Sequence, residues 1–191
     1  MVETRLQTAA PLRSGVVLAL SMDPAHCFSK PNTRRALFVK DHGIVGDAHA
    51  GQKVQHRHLA NRDAQLPNLR QVHLVQSELF AELERLGFAV GPGQLGENIT
   101  TTGIDLLDLP LGTRLGIGAD VVLELTGLRI PCGYIDRFQK GLKRTLIQRT
   151  PAGASFRAGV FAIVKHGGAA APGDIIRVNV PCGTSRPLPA M

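Results

Sequence analysis

Cys132 stands in the segment GLRIPCGYIDRF, directly after Pro131 and before Gly133. Pro131 fixes its own φ and biases Ile130 toward extended backbone, while Gly133 lets the chain turn at once, so the spacing predicts a thiol held at a strand end. A free thiol ionises near roughly pH 8.5, and neighbouring cations lower that value. Arg129 and the basic run Arg137, Lys140, Lys143 and Arg144 supply such cations, with Asp136 opposing them. A thiolate so placed is a nucleophile and a soft metal ligand. A cysteine can also be a small buried hydrophobe, and local context leaves both readings open.

Two glycine-rich segments carry further polar groups. GIVGDAHAG sets Asp47 and His49 among Gly43, Gly46 and Gly51. Backbone amides of such a loop can approach an anion, although a plain turn with an Asp cap and a surface His fits equally. The loop lacks the Gly-Lys-Ser/Thr ending of a Walker loop and the spacing of a dinucleotide fingerprint. GQLGENITTTG places Glu97 and Asn98 before Thr100, Thr101 and Thr102, a donor and acceptor set suited to a heterocycle or phosphate, or to an ordinary turn. In AHCFSKPNTRR, Lys30, Arg34 and Arg35 are either a solvated face or the anion-facing wall of a pocket. His49, His56, His58 and His73 raise a zinc site, but no Cys or second His pair completes a standard ligand spacing, and solvated loop histidines are the preferred reading.

Elements must position these groups. Ser14–Met22 and Ala36–Val39 read as extended, and the polar stretch from Gln52 to Asn68 as a loop. Gln71–Gln76 alternates, with Val72 and Leu74 on one face. Ser77 can then cap a helix striped by Leu79, Phe80, Leu83 and Leu86 and closed by Gly87. A tight loop from Gly91 to Asn98 precedes short strands, with turns at Leu109-Pro110 and Gly116 to Gly118. ADVVLELTGLR is a strand that delivers the chain into the Cys132 turn. Phe138, Leu142 and Leu146 have helical spacing, as one helix or two pieces divided near Gly141. RAGVFAIVKHGG and GDIIRVNV are further strands, and the core runs over about 14–180 with a loose tail at 181–191. Seven to nine short strands and two helices, without βαβ alternation, predict one mainly β domain built as a closed or partly open barrel.

Composition bounds the function. At 191 residues and 43% hydrophobic, the chain can bury one good core, filled by aliphatic side chains because aromatics are only 4% and Trp is absent. The net charge of +7 calls for an anionic partner. Nucleic acid is disfavoured by the shortage of aromatic stacking platforms, leaving a phosphorylated small molecule or cofactor ahead of an RNA-binding barrel. Cys27, Cys132 and Cys182 form an odd set with no CxxC pair, which fits reduced thiols in the cytoplasm. The apolar run Val16–Leu20 is too short for a signal peptide core or a membrane span.

Taken in order, HCFSK (26–30), GIVGDAHAG (43–51), PNLRQVHLVQSEL (67–79), GQLGENITTTGIDLLDLPLGTRLGIG (93–118) and LTGLRIPCGYIDRFQKGL (125–142) resemble the MOSC domain, in particular its stand-alone bacterial members. The module takes its name from the C-terminal region of molybdenum cofactor sulfurases. Five matching segments in sequence are a far stronger signal than any one. The resemblance implies a mostly β barrel in which Cys132 is the reactive group, either as a protein ligand to molybdenum of a pyranopterin cofactor or as the carrier of a persulfide. Members of the first kind look like reductases of N-hydroxylated bases that work on a small-molecule substrate with a separate electron donor. Members of the second kind would need a sulfur donor.

On that resemblance, Cys132 is the metal ligand and catalytic group, and Lys30, Gly46, Asp47, His49, Glu97, Asn98, Thr101 and Arg129 line the cofactor pocket. The cofactor phosphate gives the positive charge a purpose. Neither a membrane nor a nucleic acid partner is expected, and the oligomeric state stays open. One departure stands out. The family reads His-Gly-Phe-Ser-Lys where this chain has His26-Cys27-Phe28-Ser29-Lys30, so a requirement for positive φ would strain Cys27, and Cys27 could also approach Cys132.

Overall fold

The computed structural model of the protein describes residues 14–55, 63–150 and 153–191. β1 (Ser14–Ser21) buries Val17 and Leu20 completely, and a register shift between Val17 and Ala19 lets successive residues at its end face inward. β2 (Asn32–Thr33) folds back on it, followed by β3 (Ala36–Val39) and β4 (Gly43–Ile44). β5 (Val72–Gln76) leads into α1 (Glu78–Arg85) and then β6 (Ile99–Thr102). A 3-10 turn at Leu106–Asp108 precedes β7 (Arg114–Ile117) and β8 (Val121–Leu128). After the Cys132 turn come α2 (Gly133–Phe138), α3 (Leu142–Thr145), β9 (Ile147–Thr150) and β10 (Gly153–Phe156). β11 (Val160–His166), β12 (Gly168–Ala170) and β13 (Ile175–Asn179) complete the set.

Seven strands close into a barrel in the order β13-β7-β8-β11-β5-β6-β1, sealed by β1 and β13 pairing at Ser14↔Arg177 and Val16↔Ile175. Closure removes the open edges that a sheet of this size would otherwise expose. The period-two pattern of β8, with Val121, Leu123 and Leu125 buried and their neighbours half-exposed, is the sequence signature of such a wall. Leu20, Leu74, Ile99, Leu115, Leu123 and Ile176 belong to the core inside it. The fold is thus mainly β with a few short helices, as expected.

Several details correct the sequence reading. β5 is buried on both faces, because α1 and its neighbours form a second apolar cluster containing Val75, Leu79, Leu83, Ile135 and Leu142. β5 and β6 run parallel and are joined through α1, one crossover unit in an otherwise antiparallel ring. Ser77 has helical backbone and makes no side-chain cap bond, and Leu86 is 61% exposed, so the stripe ends at Leu83. Gly116 lies inside β7, and the turn begins at Gly118. The helical spacing at Phe138, Leu142 and Leu146 resolves into two pieces divided at left-handed Gly141, and Ile147 onward is a hairpin strand. The tail is not loose throughout: Leu188 is buried, Ala190 bridges to Leu128, and Met191 exchanges backbone bonds with Leu128 and Ile130. Among the described residues no helix is long and apolar enough to cross a membrane.

Thr101 sits on the Ile99 face of β6, fully buried, and its Oγ1 has no hydrogen-bond partner among the described residues. A hydroxyl buried without a partner costs on the order of 1–3 kcal/mol. Thr101→Val is therefore expected to raise the unfolding free energy by about 1 kcal/mol, read as a higher urea midpoint at unchanged slope. A midpoint that stays or falls would show that the hydroxyl is satisfied.

Candidate functional site

A cavity of about 590 Å³ opens where the end of β8 delivers Arg129 and Cys132 beside the 26–30 segment and the start of β5. That volume lies within the usual range for small-molecule sites. Of the residues singled out from the sequence, Lys30, His49, Asn98, Arg129 and Cys132 line it.

One buried ion pair ties its floor together. Lys30 Nζ lies 2.7 Å from Asp47 Oδ2, with side chains 2% and 0% exposed. Asn98 Nδ2 donates to the same oxygen at 2.9 Å, and the His49 backbone N–H donates to Oδ1 at 3.0 Å. His49 Nδ1 stands 3.3 Å from that second oxygen. Burial by itself would raise the Asp47 pKa, but the bonds from His49 and the charge and bond of Lys30 hold it well below the usual carboxylate range. For Lys30, burial prevails over Asp47 and lowers its pKa. Asn98 also accepts from the His73 backbone N–H at 3.1 Å, so one amide links the glycine loop to β5.

Glu97 works as a loop clasp. Its carboxylate accepts from the backbone N–H groups of Gly93 at 2.6 Å and Leu95 at 3.1 Å and from the Thr100 hydroxyl at 3.0 Å. Burial pushes its pKa up, and these donors and Arg129 oppose that. The loop can pass this close to the 26–30 segment only as glycine: a Cβ on Gly93 would meet the Lys30 carbonyl oxygen at 2.2 Å, and one on Gly96 would meet that of Phe28 at 2.5 Å. Both residues are left-handed, at φ 82° and 81°.

Arg129 occupies the junction between loop and thiol. Its Nη1 donates to the Leu95 carbonyl, and it lines the cavity together with Cys132, three residues further along the chain. Burial lowers the Arg129 pKa while Cys132 and Glu97 raise it. Beside it, His73 Nε2 is 2.8 Å from the Ala158 carbonyl and so must donate, leaving Nδ1 as an acceptor 3.5 Å from Arg129 Nη1. Burial, then Arg129 and Lys30, push the His73 pKa well below its ordinary value, so this histidine is neutral.

Cys132 is half-buried at the N-cap position of α2, extended at φ −96° and ψ 173°. It packs against the second apolar cluster yet lines the cavity, so the two readings of its environment meet in one residue. Backbone bonds from Arg129 N–H to Gly159 and from Ile130 N–H to Met191 fix the segment that carries it. Gly133 opens the helix with open space where a Cβ would stand, so no close contact demands a glycine there. Cys27 also lines the cavity, is exposed, and is free, as are Cys132 and Cys182. Its φ is not positive, since Asp41 alone among the described non-glycine residues has that conformation, and the replacement of glycine brings no backbone strain.

The other candidates lie behind the lining or away from it. Asp47 and Glu97 are buried supports, Thr101 faces the barrel interior, and Gly46 is an exposed turn residue at φ 83°. His56 and His58 lie outside the described residues; among the described ones no three His, Cys, Asp or Glu side chains gather as a metal site. Sequence reasoning passed over Arg70, Phe161, Tyr134 and Met191, all on the cavity wall. An arginine just ahead of the apolar β5 strand was the available signal for the first. Phe161 and Met191 carried no local mark, whereas Tyr134 stood two residues after Cys132 in the segment already singled out.

A depressed carboxylate contributes stability above its unfolded pKa of roughly 4 and loses it as pH falls through the folded value. Asp47 therefore predicts a fall in unfolding free energy at acid pH. Asp47→Asn should cost about 3 kcal/mol at pH 7, by stranding Lys30, and make that acid limb shallower. Urea unfolding followed from pH 7 to acid checks both, and an acid limb unchanged in the variant would assign the effect to other carboxyls.

The chain resembles several solved structures. The YuaD protein of Bacillus subtilis matches with TM-score 0.71 at 24% identity, covering 88% of this chain and 97% of that one. YiiM of Geobacillus stearothermophilus matches with TM-score 0.64 at 14% identity, covering 91% and 79%. YiiM of Escherichia coli matches with TM-score 0.60 at 12% identity, covering 90% and 73%. No curated protein matches the sequence. The MOSC domain family model matches residues 54–177, well over half of the 191, and with the barrel and the cavity cysteine in view the chain belongs to the MOSC domain family, which is associated with molybdenum cofactor binding.

Proposed function

We propose that the protein binds a molybdenum pyranopterin in this cavity, with Cys132 as the sulfur ligand from the protein, and reduces N-hydroxylated bases or related compounds with electrons from an external donor. The observation that carries the reading is Cys132 on the wall of a cavity that Arg129 and Lys30 also line. The donor set fits the group. A soft sulfur suits molybdenum, and a cation beside it offsets the charge of a thiolate ligand. The lining is mainly apolar with a few convergent polar groups, as orientation of a bound heterocycle requires.

When bound, the cofactor would supply the redox chemistry of the metal. The chain's own part is to hold and protonate. Lys30 and Asn98, locked to Asp47, form a fixed polar floor, and Arg129, held on the Leu95 carbonyl, stands on the same wall as Cys132. Reduction of an N-hydroxyl group consumes two electrons and two protons and releases water. His49, on the cavity wall with Nδ1 3.3 Å from Asp47 Oδ1, is the group assigned to proton delivery. The location is expected to be cytoplasmic, where the thiols stay reduced.

Elemental analysis tests the reading. Protein purified from a cell able to make molybdopterin should carry about one molybdenum per chain, and Cys132→Ser should lose it while keeping its fold by circular dichroism. A mass increase of one sulfur on Cys132 without metal would overturn this assignment and mark a persulfide carrier that hands sulfur to a partner.

A further inference from the structure

The cations around the cavity are not equivalent. Lys30 is matched to Asp47, and Arg129 is engaged with the Leu95 carbonyl and lies 3.5 Å from His73 Nδ1. Arg70 has no such match: among the described residues no acid pairs with it. Its backbone N–H donates to Asn68 Oδ1 at 3.0 Å. Asn68 is buried and donates to the His49 and Gly51 carbonyls, so the glycine loop anchors the base of the Arg70 side chain. The guanidinium lies over the Phe161 ring, 5.3 Å from its centroid, on the cavity wall. Burial lowers its pKa with no opposing carboxylate.

A half-buried charge stacked on an aromatic face and lacking a counter-ion is costly unless something else supplies the anion. A guanidinium plane held by a ring presents its fork edge-on, the geometry that matches two oxygens of a carboxylate or phosphoryl group. We infer that Arg70 is the oxyanion-recognition residue of the cavity, gripping a phosphoryl or carboxylate group of the bound small molecule while Phe161 fixes the plane of its fork. The inference rests on the cavity being a ligand site, as proposed above, but needs neither the metal nor the sulfur of Cys132.

Inorganic phosphate, and benzoate as the carboxylate probe, are titrated into the full chain at constant ionic strength, with binding followed by calorimetry and by the arginine Nε–H resonances. At least one probe should bind saturably: phosphate alone marks a phosphorylated ligand, benzoate alone a carboxylate, and both the shared fork. Arg70→Gln should weaken binding at least about tenfold. Arg70→Lys, which keeps charge and stem but not the fork, should weaken it by about threefold or more. Arg177→Gln on β13, an exposed arginine, should stay within about twofold, since it removes the same net charge elsewhere. Molybdenum content of the parent chain, read separately on protein from a cell able to make molybdopterin, separates failure of this inference from failure of the metal assignment. Unchanged affinity in Arg70→Lys, equal losses in Arg70→Gln and Arg177→Gln, or no saturable binding of either probe overturns the inference. If Arg70→Gln does not fold, the Lys variant decides.

Discussion

The site depends on one buried ion pair. Lys30 comes from the segment after β1 and Asp47 from the glycine loop after β4, and neither has water to turn to. A lone charge in that position would be strongly destabilising, so folding strongly favours bringing the two segments together. Asn98 adds the β5–β6 crossover to the same oxygen. Three stretches far apart in sequence are thereby brought to one point, and the cavity is the space left beside it.

The location of that space follows from having two apolar clusters instead of one. The barrel interior is filled by aliphatic side chains, as its composition demands, and cannot hold a ligand. The second cluster, under α1 and α2, packs on the outside of β5 and leaves a seam at the end of β8. Cys132, Phe28 and Arg129 stand at that seam, where apolar packing gives way to polar groups that need partners. Neutral His73, between Arg129 and the Ala158 carbonyl, adds no further positive charge to a wall that already carries Lys30, Arg70 and Arg129.

Much of this was legible in the chain. The tally of short strands announced the barrel, ADVVLELTGLR announced β8, and the Pro-Cys turn announced the thiol, while the Phe138, Leu142 and Leu146 spacing left one helix or two open until the structure divided it at Gly141. Glu97 and Asp47 were recognised as polar groups of consequence, but their position one layer behind the lining was not, because a sequence does not say which donors will converge on a carboxylate. Thr101 was grouped with its polar neighbours, although strand alternation turns it to the opposite face from Thr100, which serves Glu97. Arg70 escaped notice because its meaning lies in the absence of an acid nearby in space among the described residues. Met191 reaches the cavity through tertiary docking alone, whereas Tyr134 follows Cys132 by two residues.

The last four residues carry a consequence of their own. By lying parallel to the end of β8 and bonding to Leu128 and Ile130, they make the strand's exit a braced ledge with main chain on either side. The backbone from which Cys132 projects is then fixed by peptide groups, which every sequence possesses. Evolution can exchange the neighbours of the sulfur to suit new ligands without moving that backbone. A molecule arriving there also meets a wall already assembled, and little of its affinity is lost to organising one.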